Sequence, residues 1–381
     1  VDRIDSATQR GSATRDRIIS ADDHIDLCYL PKELFQQRLP AKYREIGPKV
    51  EMLPQGPTWV REGTPWGMWG QKKLDLRINV FAQLDYPEEI EPNRFRATTA
   101  KYRLKDMDDD GVDAQIVYNF LNWSFTDQEL KYAVIQAFNS WLAEEMCNVA
   151  PDRLIGLATL PGHDAKAAIT ELQRASRLGL KGVIFDVFGA TKPIFDPEWE
   201  PLWAAAAEAG MPVSVHTGGG TFSIQKAPSG TPWKWAAHAA ILGMQLEEVL
   251  VSVIYCGMLE RNPKLKFVMG EAGIGWLPYV LERLDHEMHQ YDHVPNGAPQ
   301  LKMKPTDLFH RQCYVTFQEE SFGPRMIPEI GVDNVMWAAD YPHGDGTFPH
   351  SQKIINKMFG DAPAELRRKV LGGNAAAVYG L

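Results

Sequence analysis

Ile18-Ile19-Ser20-Ala21-Asp22-Asp23-His24 is a short run that starts apolar and ends on two carboxylates and an imidazole. Side-chain direction in an extended strand repeats every second residue, so Asp22 and His24 share one face while Asp23 points to the other. Asp26 returns to the first face if the chain stays extended. Two further apolar runs end in the same way: Pro212-Val213-Ser214-Val215-His216 and Val335-Met336-Trp337-Ala338-Ala339-Asp340. In a closed parallel barrel the C-terminal strand ends ring one mouth, where residues distant in sequence meet. The three stretches together predict a metal-type site at the mouth of such a barrel.

The rest of the chain keeps that rhythm. Strands are predicted at 18–21, 114–120, 154–160, 182–187, 211–216, 265–269, 314–317 and 335–339. Their Val, Ile and Phe runs do not alternate with polar residues, as suits strands buried on both faces. Helices are signalled between them. Asp164 precedes a run over 165–178 with apolar spacing of three and four, and Gly179 follows it. Asp196-Pro197 supplies an N-cap and a first-turn proline, with Gly210 at the far end. A third apolar stripe covers 276–289. Alternating β and α units, eight in number, predict an α/β fold, a (β/α)8 TIM barrel, over 18–381 as a single domain. Residues 1–17 read as a flexible polar tail without a signal-peptide core.

One segment breaks the rhythm. Residues 51–96 are rich in Pro, Gly and Trp, including Pro57-Thr58-Trp59 and Thr64-Pro65-Trp66-Gly67-Met68-Trp69-Gly70. An insertion of that length after strand 1 emerges at the mouth, where it reads as a lid or as an oligomer contact. A second aromatic stretch, with Pro232-Trp233-Lys234-Trp235, follows His216 and is expected to wall the pocket.

Bulk properties remove several classes. A net charge of −9 without a Lys/Arg cluster argues against nucleic acid as a partner. No run approaches the roughly 18–20 apolar residues that span a bilayer. The four cysteines, Cys28, Cys147, Cys256 and Cys313, are scattered and read as reduced thiols of a cytoplasmic protein. The partner expected is a small-molecule substrate, and a homodimer is compatible with the barrel.

Asp22, His24, His216 and Asp340 offer two nitrogens and two carboxylates. That set suits Zn or Mn, and also Fe, better than the all-oxygen preference of Ca or Mg. Thr217-Gly218-Gly219-Gly220 after His216 lets backbone approach a ligand closely. Asp340, directly after an apolar strand, is costly to bury unless paired or metal-bound. Glu271 after strand 6 reads first as a general acid or base or as a hydrogen-bond acceptor supporting the ligands, and next as a candidate metal ligand. Were Glu271 joined by Asp26 around a second ion, two Fe would be held roughly 3.5–4 Å apart. His343 lies beside the Asp340 turn and is a candidate catalytic or supporting group. Asn119, Asp186, Trp233 and Gln318 are candidate substrate-binding residues.

The order Asp-x-His, His, Asp resembles the amidohydrolase superfamily. Within it, the chain is similar to the amidohydrolase-related branch that includes aminocarboxymuconate semialdehyde decarboxylase. The phrases carrying the resemblance are Ser20-Ala21-Asp22-Asp23-His24, Gly156-Leu157-Ala158-Thr159-Leu160-Pro161, Leu178-Gly179-Leu180-Lys181-Gly182-Val183, Gly270-Glu271-Ala272-Gly273-Ile274-Gly275-Trp276-Leu277-Pro278 and Asp340-Tyr341-Pro342-His343. The resemblance implies one divalent metal on Asp22, His24, His216 and Asp340. It departs at two places: many members carry His-x-His on strand 1, and strand 6 often ends in a catalytic His where this chain has Glu271. The function expected is a metal-dependent hydrolase or non-oxidative decarboxylase of an organic acid or related carbonyl compound. The alternatives are a dinuclear non-haem iron oxygenase hydroxylating an apolar substrate, and a catalytically inactive ligand-binding barrel.

Overall fold

A computed structural model describes residues 16–70, 89–120, 123–220, 223–228, 230–297 and 299–381. Eight parallel strands run in sequence order around a barrel: β1 (Ile19–Asp26), β2 (Ala114–Phe120), β3 (Leu154–Thr159), β4 (Gly182–Ile184), β5 (Val213–His216), β6 (Phe267–Gly270), β7 (Cys313–Phe317) and β8 (Val335–Trp337). The ring closes between the chain ends of the barrel. The Asp340 amide donates to the Asp22 carbonyl at 3.0 Å, and the His24 amide donates to the Tyr341 carbonyl at 2.5 Å. Closure therefore ties the first and last ligand-bearing segments to each other directly.

The expected strands are present, with one change that matters. β1 extends beyond residue 21 through His24 to Asp26, and its pairing with β2 shifts register between Ser20 and Asp23. Such a bulge re-aims side chains next to functional sites. Asp23 turns out of the mouth, and its Oδ1 accepts from the Tyr341 amide at 2.8 Å.

The predicted helix caps are also present. Asp164 Oδ1 accepts from the Ala167 amide at 2.6 Å ahead of the helix Ala165–Arg177. Asp196 caps the turn Pro197–Trp199, and Gly210 ends the helix Glu200–Ala209 in the left-handed conformation that glycine adopts without strain. All four cysteines are free thiols. Among the described residues no single helix is long and apolar enough to cross a membrane.

The insertion is more ordered than its composition suggests. Lys49–Leu53, Gly56–Arg61 and Thr64–Met68 form a three-stranded antiparallel sheet. Two indoles fasten this segment to the chain after β1: Trp59 Nε1 donates to the Leu27 carbonyl and Trp69 Nε1 to the Leu30 carbonyl, both at 2.8 Å. Trp66 packs on Trp123 and Phe125, which follow β2. Pro, Gly and Trp here build a small sheet whose aromatic side chains bury against the barrel. Residues 1–15 of the expected tail and 71–88 of the expected lid lie outside the described residues.

Candidate metal centre

Asp22, His24 and His216 bring one donor atom each to within 4.8 Å of one another, as do His24, Asp340 and His343. Asp22 and His24 lie within β1, His216 ends β5, and Asp340 and His343 follow β8. His24 Nε2 lies 3.4 Å from Asp22 Oδ1 and 3.0 Å from Asp340 Oδ1. His216 Nε2 lies 3.6 Å from Asp22 Oδ1 and 3.6 Å from Glu271 Oε2. Its Nδ1 is 3.0 Å from the Thr217 carbonyl, a contact that orients the ring so that Nε2 faces the centre.

The surroundings hold these groups in place. Asp22 Oδ2 accepts from the Glu271 amide at 2.7 Å and from Thr316 Oγ1 at 2.8 Å. Arg103, fully buried, donates to the His24 carbonyl at 2.7 Å and to Gln115 Oε1 at 2.7 Å. Glu271 and Asp340 both have positive φ, 50° and 57°, a region that L residues adopt only where surrounding structure enforces it. Strain at these two carboxylates marks the site they share.

Gly270 makes room for the ligands. A Cβ there would stand 2.6 Å from His216 Cδ2 and 2.9 Å from Asp22 Oδ2. Gly270→Ala is therefore expected to push both ligands aside and weaken metal binding about 10–100-fold, the scale seen when ligand orientation is disturbed. Titration of the metal-free variant with Mn(II) measures this, and unchanged affinity would show that the close approach does not matter.

Charge is sharply divided within the cluster. Burial opposes ionisation of Asp22, yet His216 and His24 outweigh it and hold the carboxyl far below the usual range. Asp340 is likewise opposed by burial but brought down to about 2 by His343 and His24. His24 is disfavoured as a cation by burial and His343, but Asp22 and Asp340 raise it to about 9. Glu271 goes the other way: burial, then Asp340, push it up to about 7. Acidic groups thus outcompete burial and call positive charge onto the imidazoles, and a divalent cation would meet the same demand.

The residues fit such a cation. Asp22 Oδ1 and Asp340 Oδ2 are buried and accept no hydrogen bond, although each belongs to an ionised carboxylate. His24 stands between them, with His216 on the Asp22 side and His343 on the Asp340 side, a mixture of imidazole and carboxylate donors of the kind that binds a divalent transition metal.

Other expected site residues separate into three groups. Asn119 and Asp186 line a cavity of about 620 Å³ that begins at His216 and Thr217. His343 is buried with Nδ1 2.9 Å from Asp340 Oδ1, and its ring stacks on His24 at 4.2 Å between centroids. Asp26 faces His343 Nε2 at 3.4 Å and joins none of the converging donor groups among the described residues. Glu271 groups with Asp340 and the exposed Asp345 rather than with Asp26.

Two of the expected residues lie apart from this cavity. Trp233 is 57% exposed and does not line the cavity, because the segment that carries it turns into the helix Lys234–Ala240. Gln318 is half-buried just past β7 and also lies outside the cavity wall. Conversely, Thr217, whose hydroxyl donates to Glu271 Oε2 at 3.0 Å, had only its position beside His216 to announce it. Asp345 and Lys131 had no signal, since neither ends a strand.

The amidohydrolase family model matches residues 74–381, most of the chain. The chain belongs to the amidohydrolase family. Among curated relatives, gamma-resorcylate decarboxylase of Rhizobium radiobacter is 28% identical over 261 residues, covering 63% of this chain and 76% of that protein. The 2-amino-3-carboxymuconate-6-semialdehyde decarboxylase of Dictyostelium discoideum is 26% identical over 350 residues, covering 87% and 90%. Among solved structures, an amidohydrolase from Mycobacterium avium subsp. paratuberculosis superposes with a TM-score of 0.76 at 20% identity, covering 97% of this chain and 99% of that one. A dihydroxybenzoic acid decarboxylase from Polaromonas with bound manganese superposes with a TM-score of 0.64 at 19% identity, covering 96% and 98%. The expected barrel and the expected branch are both borne out. This amidohydrolase is an enzyme, and the reading as a metal-dependent hydrolase or non-oxidative decarboxylase of an organic acid agrees with these relatives. The dinuclear iron oxygenase and the inactive barrel are not favoured by them.

Proposed function

We propose that this amidohydrolase is a non-oxidative decarboxylase of an unsaturated or aromatic carboxylic acid, dependent on one divalent metal, with manganese preferred over zinc. The observation that carries the proposal is geometric: two donor groups sharing His24 stand at the mouth, and Glu271 is held beside His216 at the end of the cavity by the Thr217 hydroxyl. The electrostatics agree: burial raises Glu271, while at Asp340 burial is outweighed by His343 and His24, which keep that carboxylate ionised. Two acids whose environments drive them apart divide the labour, one staying ionised and the other carrying a proton at neutral pH. The decarboxylases named above and the manganese in the Polaromonas protein support the reaction class and the metal.

Asp22, His24, His216 and Asp340 would hold the metal, which when bound supplies positive charge to orient the substrate's carboxylate. Aromatic side chains of the cavity, including Trp123, Phe125 and Phe188, pack the substrate's apolar body and exclude water. Glu271 donates its proton to the carbon that loses CO2. The C–C bond to the carboxyl carbon breaks, its electron pair stays on the substrate carbon, and that carbon takes the Glu271 proton. Thr217 fixes the Glu271 carboxyl through its hydroxyl, and solvent restores the proton afterwards. His343, hydrogen-bonded to Asp340, positions that carboxylate.

The test is product analysis with the manganese-loaded protein in D2O, starting from 2,6-dihydroxybenzoate and related hydroxylated aromatic acids. The expected result is CO2 release at equal rates under air and argon, with one solvent deuterium on the product carbon. Turnover that requires O2 and a reductant would overturn the proposal, and so would consumption of the acid with no CO2 released.

A further inference from the structure

The cavity that starts at His216 has a second charged residue in its wall. Lys131 lies in the first turns of the helix Gln128–Trp141, after β2, whereas His216 comes from β5, with β3 and β4 intervening. Lys131 is 6% exposed and lines the cavity. Among the described residues its ammonium meets no hydrogen-bond acceptor and no carboxylate at ion-pair distance. Asp186 acts on it only from further away, and Asp186 Oδ1 already accepts from the Phe188 and Gly189 amides at 3.2 and 2.8 Å.

Its neighbourhood adds positive charge. Arg61, from the inserted sheet, acts on Lys131 as a second cation and lies over the Phe125 ring at 4.4 Å. His163 is held below its usual value by burial and then by Lys131. An ammonium removed from water without a partner is costly, and lysines normally extend their charged end to bulk solvent to avoid that cost. Here the stem is covered and the end faces the cavity. That end keeps an open hydrogen-bonding position toward the cavity, which water or a carboxylate of the bound acid can fill.

We propose that Lys131 binds a second carboxylate of the substrate, so that this enzyme acts on a dicarboxylic acid whose two acidic groups are separated by an apolar body. The inference rests on the reading that an organic acid enters this cavity with its reacting carboxylate at the His216 end. The cavity's size agrees: about 620 Å³ lies within the roughly 300–1,000 Å³ that holds ligands of several ring systems. Trp123, Phe125, Ile184 and Phe188 provide apolar wall between the two ends. Lys131 is then a specificity residue for the remote end of the substrate, with no part in bond breaking.

Calorimetric binding to the manganese-loaded protein tests this with rigid pairs of probes: naphthalene-2,6-dicarboxylate against 2-naphthoate, and biphenyl-4,4′-dicarboxylate against biphenyl-4-carboxylate. In the wild type at least one diacid is expected to bind about 10-fold or more tightly than its monoacid, the scale of one charge-assisted hydrogen bond. In Lys131→Met that preference falls to about one while monoacid affinity is kept, and Lys131→Arg restores part of it. Lys131→Gln serves if the methionine variant does not fold. Absence of any diacid preference in the wild type, or its persistence in Lys131→Met, overturns the inference. His216→Ala separates it from the underlying reading. If monoacids bind that variant as well as the wild type, the assignment of the reacting end fails, while the Lys131 ratio is still read from the diacids.

Discussion

Replacing His24 with alanine is expected to lower kcat/KM by about 10³-fold or more, because metal stabilisation of developing charge amounts to several kcal/mol and each 1.36 kcal/mol is tenfold. Among the described residues, His24 is the one side chain that belongs both to the group with Asp22 and His216 and to the group with Asp340 and His343. Its loss separates the two halves of the centre. The backbone should hold: the His24 amide remains bonded to the Tyr341 carbonyl, and Arg103 remains bonded to the His24 carbonyl. The variant is therefore expected to keep its circular dichroism while metal content drops well below that of the wild type. Retention of full metal content and activity would remove His24 from the centre.

Glu271→Gln is expected to lower kcat by about 10²–10⁴-fold, the range over which a positioned general acid contributes. Metal content should stay at the wild-type level, which separates a proton donor from a ligand. The pH profile carries a second signature. Glu271 is raised to about 7, so it holds its proton below that value and loses it above. A divalent cation beside Glu271 favours its carboxylate, so in the metal-loaded enzyme activity that depends on the protonated acid should fall as pH rises with a midpoint below the metal-free value of about 7, and the glutamine variant should lack that limb. The stability of the metal-free protein follows the same sign. Between the usual carboxylate value and about 7 the native state keeps a proton that the unfolded chain has released, so stability declines as pH rises across that window. Glu271→Gln removes this slope. A variant with normal kcat, or one that loses half of two metals, would contradict the assignment.

Much of this was legible in the chain because strand ends are informative positions. Asp22, His24, His216 and Asp340 each terminate a buried apolar run, and the barrel's topology alone brings such termini together. What escaped depends on contacts that no periodicity encodes. Asp26 follows His24 in unbroken register with β2, yet His343, stacked on His24, becomes its partner. Trp233 reads as a pocket wall from its neighbours in sequence, but its loop carries it to the surface. Lys131 sits inside an amphipathic helix, where a charged residue ordinarily faces water. Only the packing of the first helical turns beside the cavity wall, behind Trp123 and Phe125, turns it inward. The inserted sheet was itself hidden by its composition, since Gly and Pro usually punctuate strands, and its stability comes from Trp59 and Trp69 docking on the chain after β1.

The most direct test of a single metal held by Asp22, His24, His216 and Asp340, with Glu271 left free to carry the proton, is elemental mass spectrometry of protein purified without added metal. About one divalent ion per chain, manganese or zinc, is the predicted result. Two irons per chain would contradict it and would make Glu271 a ligand instead of an acid.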